Sequence, residues 1–318
     1  MMIDQEVLNL FAGNAAAMAK GDAPHLAAQK LPDGVERIKD LPYTGNQDGA
    51  VDDEAKTAHL LDIYKPADSP ADSPLPVIVD FHGGGLYYGN KENNECRDML
   101  LAARGFAVVN ANYRLVPTVS FPSQLKDAMA VLEWVAAHGA EYGLDTSRVC
   151  VTGDSAGGAL ALYLCAANGS AQLAAALGVK PCAIDVRALA VTSGMFRLSG
   201  GVHATALSYY GRGYFQTPGD HVMMNPYLDL DKLVVDAGEG LPPVYMVTSV
   251  EDFIADNSYE LARILHARHR DHAMKVWARG GERPLGHVFN ITQAGDPGAS
   301  EAREAIADIA DFCNTYCA

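Results

Sequence analysis

Five residues, Gly153-Asp154-Ser155-Ala156-Gly157, join the apolar run Val149-Cys150-Val151 to the stretch Gly158-Ala159-Leu160-Ala161-Leu162. A short apolar run that gives way to alanines and leucines over so few residues reads as a strand turning sharply into a helix. Glycines at 153 and 157 leave room for that turn, where residues of ordinary size would clash. The turn lifts the Ser155 hydroxyl clear of the backbone, within reach of a base and a substrate, which is the arrangement of a nucleophile elbow. The pentapeptide alone arises by chance in small-residue turns, but here a second motif accompanies it. His82-Gly83-Gly84-Gly85 ends another buried-type run, Val77-Ile78-Val79-Asp80-Phe81. A glycine loop of this kind presents backbone N–H groups that can point at a developing oxyanion, with the N–H of Ala156 as a further donor.

The remaining pattern supplies a frame for these two motifs. Residues 2 to about 30 read as one or two amphipathic helices, and Val35 to Tyr43 with His59 to Tyr64 as an antiparallel pair. Further strands are expected at 77–81, 106–112, 148–152, 186–193, 244–248 and 274–278, with helices at about 93–104, 123–138, after Ser155, 258–268 and 299–316. That rhythm predicts an α/β chain built on a mainly parallel, doubly wound sheet with helices on both faces. Between Met195 and about Leu241 the pattern lapses over a span too long for an ordinary loop, and the stretch reads as part of a cap over the site.

Composition narrows the partners. Of 318 residues 49% are hydrophobic, ample for the core of one catalytic domain, and 24 basic against 39 acidic side chains leave a net charge of −15. That balance disfavours nucleic acid and anionic membranes. Met1 to Glu6 lacks the basic and apolar regions of a secretion signal, and no stretch is long and apolar enough to span a bilayer, so a cytoplasmic location is expected. The six cysteines form no metal-type CxxC pairs, and reduced thiols are expected; Cys313 and Cys317, four apart on the closing helix, read as structural.

HGGG at 82–85 and GDSAGG at 153–158 together resemble the hormone-sensitive-lipase-like branch of the α/β-hydrolase esterases. Asn112-Tyr113-Arg114-Leu115-Val116-Pro117, followed by Phe121-Pro122 and Asp127, is similar to that family's segment after its fourth strand; Thr118 departs from the acidic residue common there. The resemblance implies one α/β-hydrolase domain over 1–318, with an eight-stranded sheet and a helical cap drawn from about 1–35 and about 195–240. It also directs the search for a base and an acid, which a serine hydroxyl needs at neutral pH. In this fold they follow the serine in the order acid, then histidine. Glu251-Asp252-Phe253-Ile254-Ala255-Asp256 resembles the family's D-x-L-x-D turn, which puts Asp252 in the acid position. Glu251 could reach the histidine on a longer arm, and Asp256 reads instead as a cap of the next helix. Gly286-His287-Val288-Phe289 looks like the family's His-x-Phe site, so His287 is the expected base over nine other histidines. His82 has a loop-shaping role in the resembling family.

The expected chemistry is hydrolysis of short-chain or small aromatic carboxylic esters through an acyl-enzyme. Ser155 attacks, His287 moves the proton, Asp252 steadies the imidazolium, and the N–H groups of Gly83, Gly84 and Ala156 hold the oxyanion. No metal and no organic cofactor is called for. Leu86, Tyr87 and Tyr88 after the glycines, with Tyr209, Tyr210, Tyr214 and Phe215 from the lapse, are expected beside the substrate; the alternative is that these aromatics pack the cap onto the sheet. An amidase or peptidase with the same triad and a non-catalytic receptor-like binder of small molecules are the competing readings. The resemblance also implies a homodimer paired through the last strand and helix.

Overall fold

The computed structural model describes residues 5–44, 57–70, 72–198 and 213–318. Strands run over Val35–Pro42 (β1), Leu60–Pro66 (β2), Leu75–Phe81 (β3), Ala107–Ala111 (β4), Leu144–Asp154 (β5), Val186–Thr192 (β6), Val244–Ser249 (β7) and His272–Trp277 (β8). They form one sheet in the order β1-β2-β4-β3-β5-β6-β7-β8, with the β1–β2 and β2–β4 pairs antiparallel and the other pairs parallel. The principal helices are Gln5–Ala28 (α1), Glu95–Ala102 (α2), Phe121–His138 (α3), Ser155–Gly169 (α4), Ala171–Ala176 (α5), Pro218–Met224 (α6), Leu230–Ala237 (α7), Ala255–Ala267 (α8), Phe289–Thr292 (α9) and Ser300–Cys317 (α10).

Side chains alternate across a strand, and that alternation divides the core in two. Val77, Val79 and Phe81 of β3, Val149 and Val151 of β5 and Val244 and Met246 of β7 face a layer that includes α3 and α4. Ile78, Cys150, Tyr245 and Val247 face the opposite layer, made largely by α2 and α10. The sheet is therefore covered on both sides, the condition under which parallel strands are stable.

Most expected elements lie within a few residues of their observed bounds, and two differ in substance. β5 begins at Leu144 rather than 148, because Leu144 and Asp145 pair with Leu75 and Pro76 before an irregularity in the register. The expected lapse contains helices α6 and α7; α7 buries Leu230, Leu233, Val234 and Ala237 and packs against α4 and α8, inside the helical layer of the sheet rather than above it. Near the N-terminus there is one helix, α1, in which only Val7 and Phe11 are buried. Among the described residues no helix is long and apolar enough to cross a membrane.

Candidate active site

The order β4-β3-β5 means that the chain leaves β3 to one side and returns on the other, and ligands of open parallel sheets bind where the strand order reverses in this way, beyond the carboxyl ends of the strands. Register decides which loops meet there. Phe81 pairs with Gly153, so His82-Gly83-Gly84-Gly85 emerges beside Asp154-Ser155. Ser249 of β7 pairs with Trp277 of β8, and the loops that follow carry Asp252 and His287 to the same edge.

Ser155 has φ of +50°, a left-handed backbone that a residue with a side chain adopts only at a cost of about 1–3 kcal/mol, at the junction of β5 and α4. The turn depends on Gly157: a Cβ there would lie 2.0 Å from the Phe81 carbonyl oxygen and 2.4 Å from that of His82. His287 Nε2 is 2.9 Å from Ser155 Oγ, and His287 Nδ1 is 2.8 Å from Asp252 Oδ1. Asp252 also accepts hydrogen bonds from Thr248 Oγ1 at 2.9 Å and from the Ile254 N–H at 3.1 Å. Burial pushes its pKa up, but the His287 hydrogen bond and charge, with the Ile254 N–H, outweigh it, and the carboxyl sits below its ordinary range. Glu251 is engaged elsewhere: its Oε2 accepts from the N–H groups of Gly280 and Leu285 and braces the loop ahead of His287. Asp256 is exposed in the first turn of α8, where its charge meets the helix dipole.

The glycine loop departs from expectation at its first member. Gly83 is buried and its N–H donates to Asp154 Oδ1 at 2.9 Å, so it has no proton to offer an oxyanion. Gly84 and Gly85 are half-buried with φ of +105° and +63°, and among the described residues their N–H groups meet no acceptor. The donor set on this edge is thus Gly84, Gly85 and Ala156, the last in the first turn of α4, where amides lack a carbonyl four residues back. His82 shapes the loop: its ring stacks on Tyr113 with centroids 4.5 Å apart, its carbonyl accepts from Tyr113 Oη, and burial drops its pKa to about 4, leaving it neutral.

Beneath the loop lies a polar cluster that the sequence reading missed. Asp154 Oδ1 accepts from Asn94 Nδ2 at 2.8 Å, the same Asn94 amide donates to Asp80 Oδ2, and Thr152 Oγ1 donates to Asp80 Oδ1. Arg97 of α2 pairs with Asp80 at 2.5 Å and with Asp98 at 3.0 Å, all three side chains being almost fully buried. Asp80 stays below its usual range because the Arg97 charge and three hydrogen bonds overcome its burial, whereas burial pushes Asp98 well up. Arg97 is taken up by Asp80 and Asp98, and among the described residues Asp154 has no cation at ion-pair distance. Burial, then the Asp80 charge, push its pKa up to about 6. Unfolded, the group titrates near 3.9, so the raised value costs stability: nothing below about pH 4, rising through pH 6 to about 3 kcal/mol above it. Asp154→Asn keeps an oxygen for Gly83 and Asn94 without the charge. Its unfolding free energy relative to the parent is expected to rise between pH 4 and 6 and then level; urea titrations across that range check this, and a constant difference contradicts it.

Of the residues expected beside the substrate, Leu86 is fully buried in the core and Phe215 packs edge-on against Phe121, so neither opens on a pocket. Tyr214 is also buried, with its hydroxyl 3.0 Å from the Gly85 carbonyl oxygen. Tyr87 stacks on Phe11 of α1 at 4.8 Å, and with Tyr88 it lines a cavity of about 310 Å³ between Thr57, Asn112 and Tyr113 that none of Ser155, Asp252 and His287 reaches. Tyr209 and Tyr210 lie outside the described residues. Phe253, which sequence reasoning passed over, is 73% exposed with its ring centroid 4.7 Å from that of His287. Near Thr118, Arg114 donates to both carboxylate oxygens of Asp127. Cys150 and Cys317 Sγ atoms are 3.3 Å apart, and all six cysteines are free. Among the described residues no group of His, Cys, Asp and Glu is arranged to hold a metal ion.

Comparison with known proteins agrees with this architecture. The chain is 36% identical over 146 residues to the esterase LipI and 30% identical over 205 residues to the carboxylesterase NlhH, both of Mycobacterium tuberculosis, spanning 42% and 61% of this chain. The matched segments span only 45% and 61% of those relatives' own length. Among solved structures, esterase B of Lactobacillus rhamnosis, determined with a C4-C4 tributyrin phosphonate inhibitor, superposes with a TM-score of 0.85 at 26% identity, covering 98% of this chain and 96% of that one. A family model for the alpha/beta hydrolase fold matches residues 78–281, a stretch that holds Ser155 and Asp252 and stops just before His287. With well over half of its length inside that match and its sheet in this order, the chain belongs to the alpha/beta hydrolase fold family.

Proposed function

We propose that the protein is a serine carboxylesterase acting on short-chain or small aromatic carboxylic esters. The observation that carries this reading is the relay from Asp252 through His287 to Ser155, with links of 2.8 and 2.9 Å, ending beside the N–H groups of Gly84 and Gly85, which meet no acceptor among the described residues. Ser155 Oγ attacks the ester carbonyl while His287 Nε2 takes its proton, and Asp252 holds Nδ1–H and the positive charge that forms. The N–H groups of Gly84, Gly85 and Ala156 receive the oxyanion, each donor being worth about 3 kcal/mol of barrier. The imidazolium returns its proton to the leaving alcohol, and water activated by the same histidine cleaves the acyl-enzyme. α1 and the residues from 213 to about 224 serve as the cover, since Phe11, Tyr87 and Tyr214 stack at the entrance to the glycine loop.

Short acyl groups are favoured by the tributyrin phosphonate that inhibits esterase B, a relative of matching size. Hydrolysis of p-nitrophenyl esters from acetate to long chains is expected to peak at two to six acyl carbons and to fall at least ten-fold by twelve, the order expected when a compact pocket must reject several methylenes. Rates that climb with chain length would point to a lipid substrate. Absence of turnover throughout would sink the esterase reading and leave amide hydrolysis or simple binding.

A further inference from the structure

Gly84 and Gly85 lack the side chains that would hold an ordinary loop in place, so their N–H directions are set by contacts from outside. Besides the Gly83 carbonyl, which lies 2.7 Å from His82 Nδ1, four such ties are present among the described residues. The Gly83 N–H is held by Asp154 at 2.9 Å. The Gly84 carbonyl accepts from the N–H groups of Tyr87 at 3.2 Å and Tyr88 at 2.9 Å, which orients the peptide that carries the Gly85 N–H. The Leu86 carbonyl accepts from the Val116 N–H and from Gln124 Nε2, both at 2.9 Å. The fourth tie, on the Gly85 carbonyl, comes from the Tyr214 hydroxyl at 3.0 Å.

That fourth tie differs in origin. The others come from the sheet, from α3 and from the loop itself, whereas Tyr214 belongs to the 213–240 connection and its ring is seated by α1. Phe11 lies between Tyr87 and Tyr214, nearly parallel to both, with centroids at 4.8 and 6.0 Å. Gly213 permits the approach, since a Cβ there would fall 2.3 Å from the Phe11 ring. α1 buries only Val7 and Phe11; it also touches α9, and its Asp22 accepts from Asn93 Nδ2 at 3.3 Å, but its two buried side chains both lie at this contact.

We infer that Tyr214 is a positioning residue for the oxyanion hole, through which the seating of α1 is transmitted to the Gly85 peptide. The inference rests on the esterase reading above. A hydrogen bond accepted at Gly85 O fixes the peptide plane after Gly85, so the hole keeps its shape as negative charge develops. Losing it costs transition-state binding and leaves the fit of the uncharged ester alone.

The test compares the parent with Tyr214→Phe on p-nitrophenyl butyrate and with an aryl trifluoromethyl ketone, which adds to the serine and places an oxyanion in the hole. A misplaced donor costs between ten- and a hundred-fold in catalysis. Tyr214→Phe is therefore expected to lower kcat about ten-fold with KM within two-fold, and to weaken the ketone by a similar factor. In the double variant with Phe11→Ala, kcat is expected to fall no further than with Tyr214→Phe alone, because both changes release the same tie. An unchanged kcat with a raised KM, or a lowered Tm alone, would overturn the inference and make Tyr214 a wall residue. Additive losses in the double variant would overturn the link to α1. A parent that neither cleaves the ester nor binds the ketone would instead overturn the esterase reading, and the inference with it.

Discussion

Ser155→Ala is expected to cut kcat for ester hydrolysis about 10⁶-fold while leaving the protein folded, since loss of the nucleophile removes the relay as a unit. Oxyanion donors and substrate binding alone leave about 10³-fold over water, so a trace of turnover is compatible with the assignment. Stability changes little, because among the described residues the hydroxyl makes one hydrogen bond, to His287, worth about 1 kcal/mol. A second substitution separates chemistry from backbone. Ser155 holds φ of +50°, and alanine inherits that strain, whereas glycine relieves it. Ser155→Gly should be equally inactive but about 1 kcal/mol more stable than Ser155→Ala, readable as a higher midpoint in urea. Turnover that survives in both folded variants would remove Ser155 from the mechanism; equal stability of the two would mean that the elbow strain is shared by its neighbours.

The sheet was legible in the sequence because its strands are short apolar runs whose two faces are both buried. The residues of the proposed relay were picked out by the resemblance of Asp252–Asp256 and His287–Phe289 to the family's motifs, and the structure places both in loops after late strands, within hydrogen-bond reach of each other and of Ser155. What stayed hidden is what depends on register. Three consecutive glycines look alike in a chain, and only the pairing of Phe81 with Gly153 sets Asp154 against the Gly83 N–H, 71 residues away in sequence. That one contact moves the available donors along by a residue, from Gly83 and Gly84 to Gly84 and Gly85. The signal was nonetheless present, since a carboxylate inside the elbow, shut between two buried strands, must find an N–H to satisfy it. Phe253 and Phe11 were missed for a different reason: an aromatic next to an acid, or on a helix with few buried neighbours, has no local pattern that reports what it touches.

Asp252 offers the second large effect, and its surroundings make it more than a repeat of the first. Asp252→Ala is expected to lower kcat about 10⁴-fold, by releasing the imidazole and leaving the positive charge unbalanced. Asp252→Asn is commonly as damaging, because an amide can turn its NH₂ toward the histidine and impose the wrong tautomer. Here that rotamer is opposed. Asp252 Oδ1 faces both His287 Nδ1 and the Ile254 N–H, so an NH₂ in its place would meet the backbone proton of Ile254. With the amide oxygen there instead, its NH₂ falls opposite Thr248 Oγ1, a hydroxyl that can rotate to accept. Asp252→Asn should thus keep the productive tautomer, lose only the charge, and retain at least ten-fold more kcat than Asp252→Ala, a difference of about 1.4 kcal/mol in barrier. Equal activities would show that the amide has turned and that the Ile254 contact yields; a near-parental Asn variant would transfer the acid's role to hydrogen bonding alone. Measured against 10⁶ for Ser155, the three rates order the relay by what each member does: bond formation, proton transfer in the right tautomer, and the electrostatic share that a neutral acceptor cannot supply.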